Sequence, residues 1–270
     1  LRIARIIAVL VAIAAVTLTA CGKDSSTASS DAAAASGDAD KGQFVARYEA
    51  AEGDLRPIQQ MLQNAKLLET VAEDSNGLLK LPSDISVVGK SCGVPNAFWT
   101  PDDQTITMCY EYADMLQRAF AKDRDQAQPV DKEVIGAMTA VYYHELGHAV
   151  ISTYQLPVTG REEDAVDQLS VVILSSGPEE MQQMILTIAD AWRRMAADDK
   201  ELDADTFADE HSLNAQREYN FMCWAYGSNP DKYASMISNG QLPEARAERC
   251  PKEFDDMQNA WSVLLSDHLK

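Results

Sequence analysis

The sequence predicts an α+β fold, and three observations carry that prediction. The composition is that of a folded protein, with 46% hydrophobic and 24% charged residues. Segments with strand character, residues 43–48, 85–88 and 105–110, all fall in the first half of the chain. Segments with helical periodicity dominate the second half. Strands first and helices after describe an α+β domain, not an alternating α/β one.

The elements follow in order. Arg2 and Arg5 precede an apolar run from Ile6 to Val16, which is too short for a membrane span. A basic start, a short apolar core and small residues before a break describe an export signal. Leu18-Thr19-Ala20-Cys21 resembles the lipobox of bacterial lipoproteins. That resemblance implies removal of residues 1–20, lipidation of Cys21 and attachment to the cell envelope. Gly22, where Asp would retain such a protein at the inner membrane, favours the periplasmic side of the outer membrane. Residues 21–42 carry no large apolar side chain and read as a flexible tether.

Residues 43–270 form the expected domain. After the strand at 43–48, Ile58, Met61, Leu62, Ala65, Leu68 and Val71 predict one helix over 55–73. Ile85 to Val88 is a strand, 92–101 a loop, and 105–110 a strand that returns antiparallel as a hairpin. Asp131 caps a long helix whose inner face runs through Val134, Met138, Val141 and Leu146. Further helices are expected over 162–175, from Pro178 through Trp192, over 202–226 and over 254–269.

Charge narrows the function. Lys and Arg number 23 against 42 Asp and Glu, a formal charge of −19. Such a surface excludes nucleic acid as the main partner and does not adhere to anionic lipid by charge. Contact with a membrane would run through the acyl chains on Cys21. In an exported chain, Cys92, Cys109, Cys223 and Cys250 are expected as disulfides. Three connectivities are open, and nearest-neighbour pairing, Cys92 with Cys109 and Cys223 with Cys250, closes the shortest loops.

The chemistry centres on residues 144–148, His-Glu-Leu-Gly-His. In a helix, positions i and i+4 are about 40° apart in rotation and about 6 Å in rise. His144 and His148 can therefore grip one metal ion, with Glu145 placed as general base towards its water. A catalytic zinc takes three protein ligands and leaves one position open. The candidates for the third ligand, Glu162 and Glu163, lie downstream.

Glu163 and Asp167 resemble the E-x-x-x-D element of the gluzincin metallopeptidases, the thermolysin-like branch of the zincins. The resemblance implies Glu163 as the third Zn2+ ligand and Asp167 as the carboxylate behind His144; Glu162 stays an alternative ligand. No third histidine follows His148 in the metzincin pattern, and the E-G-C-L-S element of peptide deformylases is absent. His211, beside Asp209 and Glu210 in the expected fourth helix, is the candidate stabiliser of an oxyanion, with Arg217 and Tyr219 as substitutes. Over residues 80–225 the chain also resembles an uncharacterised bacterial family of metallopeptidases. The resemblance rests on Cys92-Gly93, Asn96-Ala97, Trp99, 106–111, 144–148, 160–167 and 208–214.

Zincins align a peptide along an exposed strand near the metal, and 105–110 is the candidate strand. The expectation is a zincin-like, lipid-anchored zinc metallopeptidase acting on peptide or protein substrates. The competing class is a non-catalytic, metal-stabilised binding or assembly module, against which an intact Glu145 argues.

Overall fold

The computed structural model describes residues 40–122, 129–197 and 203–270. The expected signal segment, Cys21, most of the tether and the expected helix start at Leu202 lie outside them.

Strand β1 (Phe44–Tyr48) is followed by a short 3-10 turn, Gly53–Leu55, and by helices α1 (Arg56–Asn64) and α2 (Leu67–Leu78). The one helix expected over 55–73 is therefore two. Lys66 adopts φ 52°, a left-handed conformation that interrupts the helix between α1 and α2. The apolar spacing continues across the break, with Ile58 and Leu62 buried before it and Leu68 and Val71 after it. That continuity hides the break from a periodicity reading.

Strands β2 (Ile85–Lys90), β3 (Ala97–Thr100) and β4 (Thr105–Cys109) complete a sheet of order β1-β2-β4-β3. The expected hairpin between 85–88 and 105–110 is corrected here, because β2 and β4 run parallel. The antiparallel partner of β4 is β3, which lies inside the segment expected as a loop. Both nearest-neighbour disulfides form. Cys92–Cys109 ties the chain just after β2 to the end of β4. Glu111 accepts the backbone N–H groups of Cys92 and Gly93, which fixes the same corner.

The helical half begins with α3 (Tyr110–Ala121), a helix outside those expected from the sequence. It buries Tyr112, Ala113, Leu116 and Phe120. Then come α4 (Asp131–Tyr154), α5 (Glu162–Ser176) and α6 (Glu179–Ala196). Asp131 is the first residue of α4 and not its cap; Val130 holds that position without a side-chain bond. The helix expected over 202–226 is broken into α7 (Ala204–Ala208) and α8 (Asn214–Ser228). His211 thus lies in a non-helical link. There the Asp209 side chain accepts the His211 backbone N–H, competing with the helix for that donor. Two short turns, α9 (Ser235–Ser238) and α10 (Glu244–Ala247), lead to α11 (Cys250–Leu265), which starts four residues before its expected beginning at 254. Among the described residues no helix is long and apolar enough to cross a membrane.

Helix α4 is the axis of the molecule. It packs on α5, α6, α3 and the β3–β4 end of the sheet, and it is buried along most of its length. One residue sets how closely α5 docks on it. A Cβ at Gly147 would lie 2.6 Å from Cβ and 2.7 Å from Cγ1 of Val166, so only glycine permits this approach.

Candidate metal centre

Three elements bring four side chains together. α4 supplies His144 and His148, α5 supplies Glu163, and the link between α7 and α8 supplies His211. The Nε2 atoms of His144 and His211 lie 3.1 and 3.0 Å from Glu163 Oε2. Nε2 of His148 lies 3.3 Å from the other oxygen, Oε1. The His144 and His211 rings stack with centroids 6.1 Å apart.

Each of these rings is held from behind by a different carboxylate. His144 Nδ1 lies 2.7 Å from Asp167, His148 Nδ1 lies 2.8 Å from Glu162, and His211 Nδ1 lies 3.1 Å from Asp209. A carboxylate accepts, so each ring donates from Nδ1 and turns its Nε2 towards the centre. Asp167 is itself fixed by Arg217, with Nε at 2.9 Å from one oxygen and Nη2 at 2.7 Å from the other. The Arg217 guanidinium in turn lies on the Trp192 ring, 3.8 Å from its centroid. Helices α4, α5, α6 and α8 are thereby locked around one imidazole.

The electrostatics follow from this network. Burial opposes charge on Asp167, but Arg217 and His144 hold its carboxyl below the usual range. Burial also opposes charge on Glu163, and the three imidazoles around it hold it well below the usual range. Burial lowers the pKa of His144, yet Asp167 and Glu163 outweigh it and push the ring up to about 9. Glu145 moves the other way from its fellow carboxylates: burial raises its pKa above the ordinary value.

The arrangement fits a divalent metal ion. Ligand-type atoms of His144, Glu163 and His211 all lie within 4.8 Å of one another. Glu163 Oε2 is buried and has no partner in hydrogen-bond geometry, although two ring nitrogens stand beside it. An oxygen crowded by donors that do not aim at it is what converging metal ligands leave when the shared point lies between them. Imidazole and carboxylate are ligands suited to a first-row transition ion.

Next to His144 and Glu145 lies a cavity of about 50 Å³, room for a few waters. Asn96 and Ala97, at the start of β3, line it together with Tyr112 and Trp192. The strand expected to face a substrate, 105–110, is corrected by the topology: β4 is flanked by β2 and β3. Of the two edge strands, β1 and β3, it is β3 that borders this cavity, and among the described residues no strand pairs with its outer side.

The other expected residues fall as follows. Glu162 is taken by His148 Nδ1 and so stands behind a ligand-type ring. Arg217 is occupied by Asp167, and Tyr219 is exposed in a neighbouring groove with Asp164 and Arg246. His268 stacks on Tyr154 at 3.8 Å, outside the cluster. Nothing in the sequence marks Tyr112 or the close-docking role of Gly147, and Asn96 stands out there only through the family resemblance, not as a residue lining this cavity. Asp209, two residues before His211, was visible there as an acidic neighbour, but not as the ring's partner.

Residues 48–265 match the model of the family described as "Putative metallopeptidase", and the chain belongs to that family. No curated protein and no solved structure matches it.

Proposed function

We propose that this member of the metallopeptidase family is a zinc-dependent peptidase, tethered to the bacterial cell envelope through a lipid on Cys21 and acting on peptide or protein substrates there. His144, His148 and Glu163 would hold the ion, and Asp167 would orient His144. The observation that carries the reading is the set of carboxylate-backed imidazoles gathered around the half-buried Glu163 of α5, with Glu145 directly following His144 on α4. A zincin-like fold is the natural scaffold for it, with the motif helix packed against an edge strand.

A bound zinc ion supplies Lewis acidity, lowering the pKa of water and polarising a carbonyl. The chain's own residues do the rest. Glu145 takes the proton of the attacking water and returns it to the leaving amine; its raised pKa brings it closer to the working pH for both transfers. Asp167, locked by Arg217, keeps His144 from turning. The free edge of β3 can pair with an extended peptide by backbone hydrogen bonds, across from Glu145. The formal charge of −19 keeps the domain off anionic lipid while the tether holds it nearby.

Two variants test the proposal on the full chain. Glu145→Gln should keep stoichiometric zinc by elemental analysis yet lose peptide cleavage by about 10²-fold or more. Glu163→Gln should lose the zinc. A fully metallated wild-type protein that cleaves nothing across a broad peptide library would sink the enzyme reading and leave a metal-stabilised binding module.

A further inference from the structure

We propose that His211 is itself a ligand of the metal, and does not stand back from it as a donor to the reaction's oxyanion. The inference rests on the reading above that this cluster holds a divalent ion. Three observations support it.

The first is spacing. Nitrogen and oxygen ligands about 2.0–2.2 Å from one ion lie about 3.0–3.5 Å from each other in tetrahedral or five-coordinate geometry. The three imidazoles stand 3.1, 3.3 and 3.0 Å from the Glu163 carboxylate, and His211 is the nearest of them. An oxyanion donor would sit a full hydrogen bond beyond an oxygen that itself lies outside the ligand set. His211 shares Oε2 with His144 on equal terms.

The second is direction. Oε2 lies beside both ring nitrogens without lying on the N–H axis of either, since it has no partner in hydrogen-bond geometry. The two rings therefore aim past the carboxylate. A histidine recruited only as a counter-charge for Glu163 would aim at it.

The third is support. His211 has the same backing as His144 and His148, a carboxylate on Nδ1. Asp209 also takes the His211 backbone N–H at 2.8 Å, so ring and main chain are fixed by one group. The link is tied to the helix that carries Glu163: Ser212 Oγ donates to Asp164 at 2.8 Å, and Arg161 Nη1 reaches the His211 carbonyl at 3.4 Å. Ligand-type atoms of His144, Glu163 and His211 form one mutual set within 4.8 Å. The position is thus built before any ion arrives.

The test is a metal titration of the full chain in detergent, with Co2+ as the spectroscopic probe and Zn2+ in competition with a chelator. His211→Ala should weaken Zn2+ binding by about tenfold or more and change the visible Co2+ band. His211→Asn serves as a second variant should the alanine protein fail to fold in EDTA, because the amide keeps the polar contacts of the link but ligates poorly. Asp209→Asn should weaken binding by a smaller factor. If either folded His211 variant binds Zn2+ within twofold of wild type and leaves the Co2+ band unchanged while turnover falls, the residue is an oxyanion donor and the proposal is overturned. If wild-type protein itself takes up neither ion, the metallopeptidase reading falls first and this one with it.

Discussion

Gly147→Ala tests the whole placement of the centre with one methyl group. The added Cβ would meet Val166 at 2.6 Å from Cβ, 2.7 Å from Cγ1 and 3.0 Å from Cα. Ordinary carbon contacts are about 3.5–4.0 Å, so α5 must withdraw from α4 by about 1 Å. Two terms then oppose each other. Overpacking a dense core costs about 1–3 kcal/mol, while alanine gains about 1 kcal/mol over glycine inside a helix. The net loss is about 0–2 kcal/mol, a fall in Tm of at most a few degrees for a chain of this size. The metal site suffers more. Glu163 lies one turn before Val166 on α5, and ligand distances tolerate only about 0.2 Å. Zn2+ affinity should therefore fall at least about tenfold, read by chelator competition, with Tm read separately in EDTA. The double variant Gly147→Ala with Val166→Gly removes the clashing Cβ, and should recover affinity while remaining less stable than wild type. Wild-type affinity and Tm in the single variant would refute the close-docking argument.

Other outcomes follow from the same network. Arg217→Ala leaves the buried Asp167 carboxylate without its guanidinium and should cost about 3–5 kcal/mol in denaturant unfolding; adding Asp167→Asn should recover much of that loss. Glu162→Gln removes only the carboxylate behind His148, so affinity should fall about tenfold with turnover retained at saturating zinc. The metal-free protein should also lose stability in acid through Asp167. Burial pushes that carboxyl up, but Arg217 and His144 hold it below its unfolded value. A depressed folded pKa gives stability that is complete above the unfolded value of about 4 and is lost as pH falls through the folded one. Asp167→Asn should flatten the acid limb of Tm against pH, and a parallel limb would contradict the assignment.

What the sequence disclosed, and what it did not, divides along one physical line. The pair His144 and His148, and the pair Glu163 and Asp167, were legible because i and i+4 share a helix face whatever the helix packs on. The choice between Glu162 and Glu163 was not, because neighbours on a helix differ by about 100° of rotation. Only the docking of α5 on α4 decides which stands at the Nε2 side of the imidazoles and which behind His148 Nδ1, and that docking depends on the Gly147–Val166 approach between two helices. The sheet shows the same limit. Alternation marks a strand but not the direction of its partner, so the sequence suggests a hairpin where β2 and β4 in fact pair parallel. The break at Lys66 was masked by an apolar pattern that continues through it. The helical pattern runs through His211, and the Asp209 side chain that takes its backbone N–H from the helix is a local contact. An Asp there is ordinary on a helix surface too, so its presence alone carries no such message. The charge balance is a sharper case. Forty-two acidic residues read as a solvated surface, yet Glu162, Glu163, Asp167 and Asp209 face histidines instead of water alone. Net charge sums over positions, whereas a metal centre depends on which carboxylate reaches which ring nitrogen.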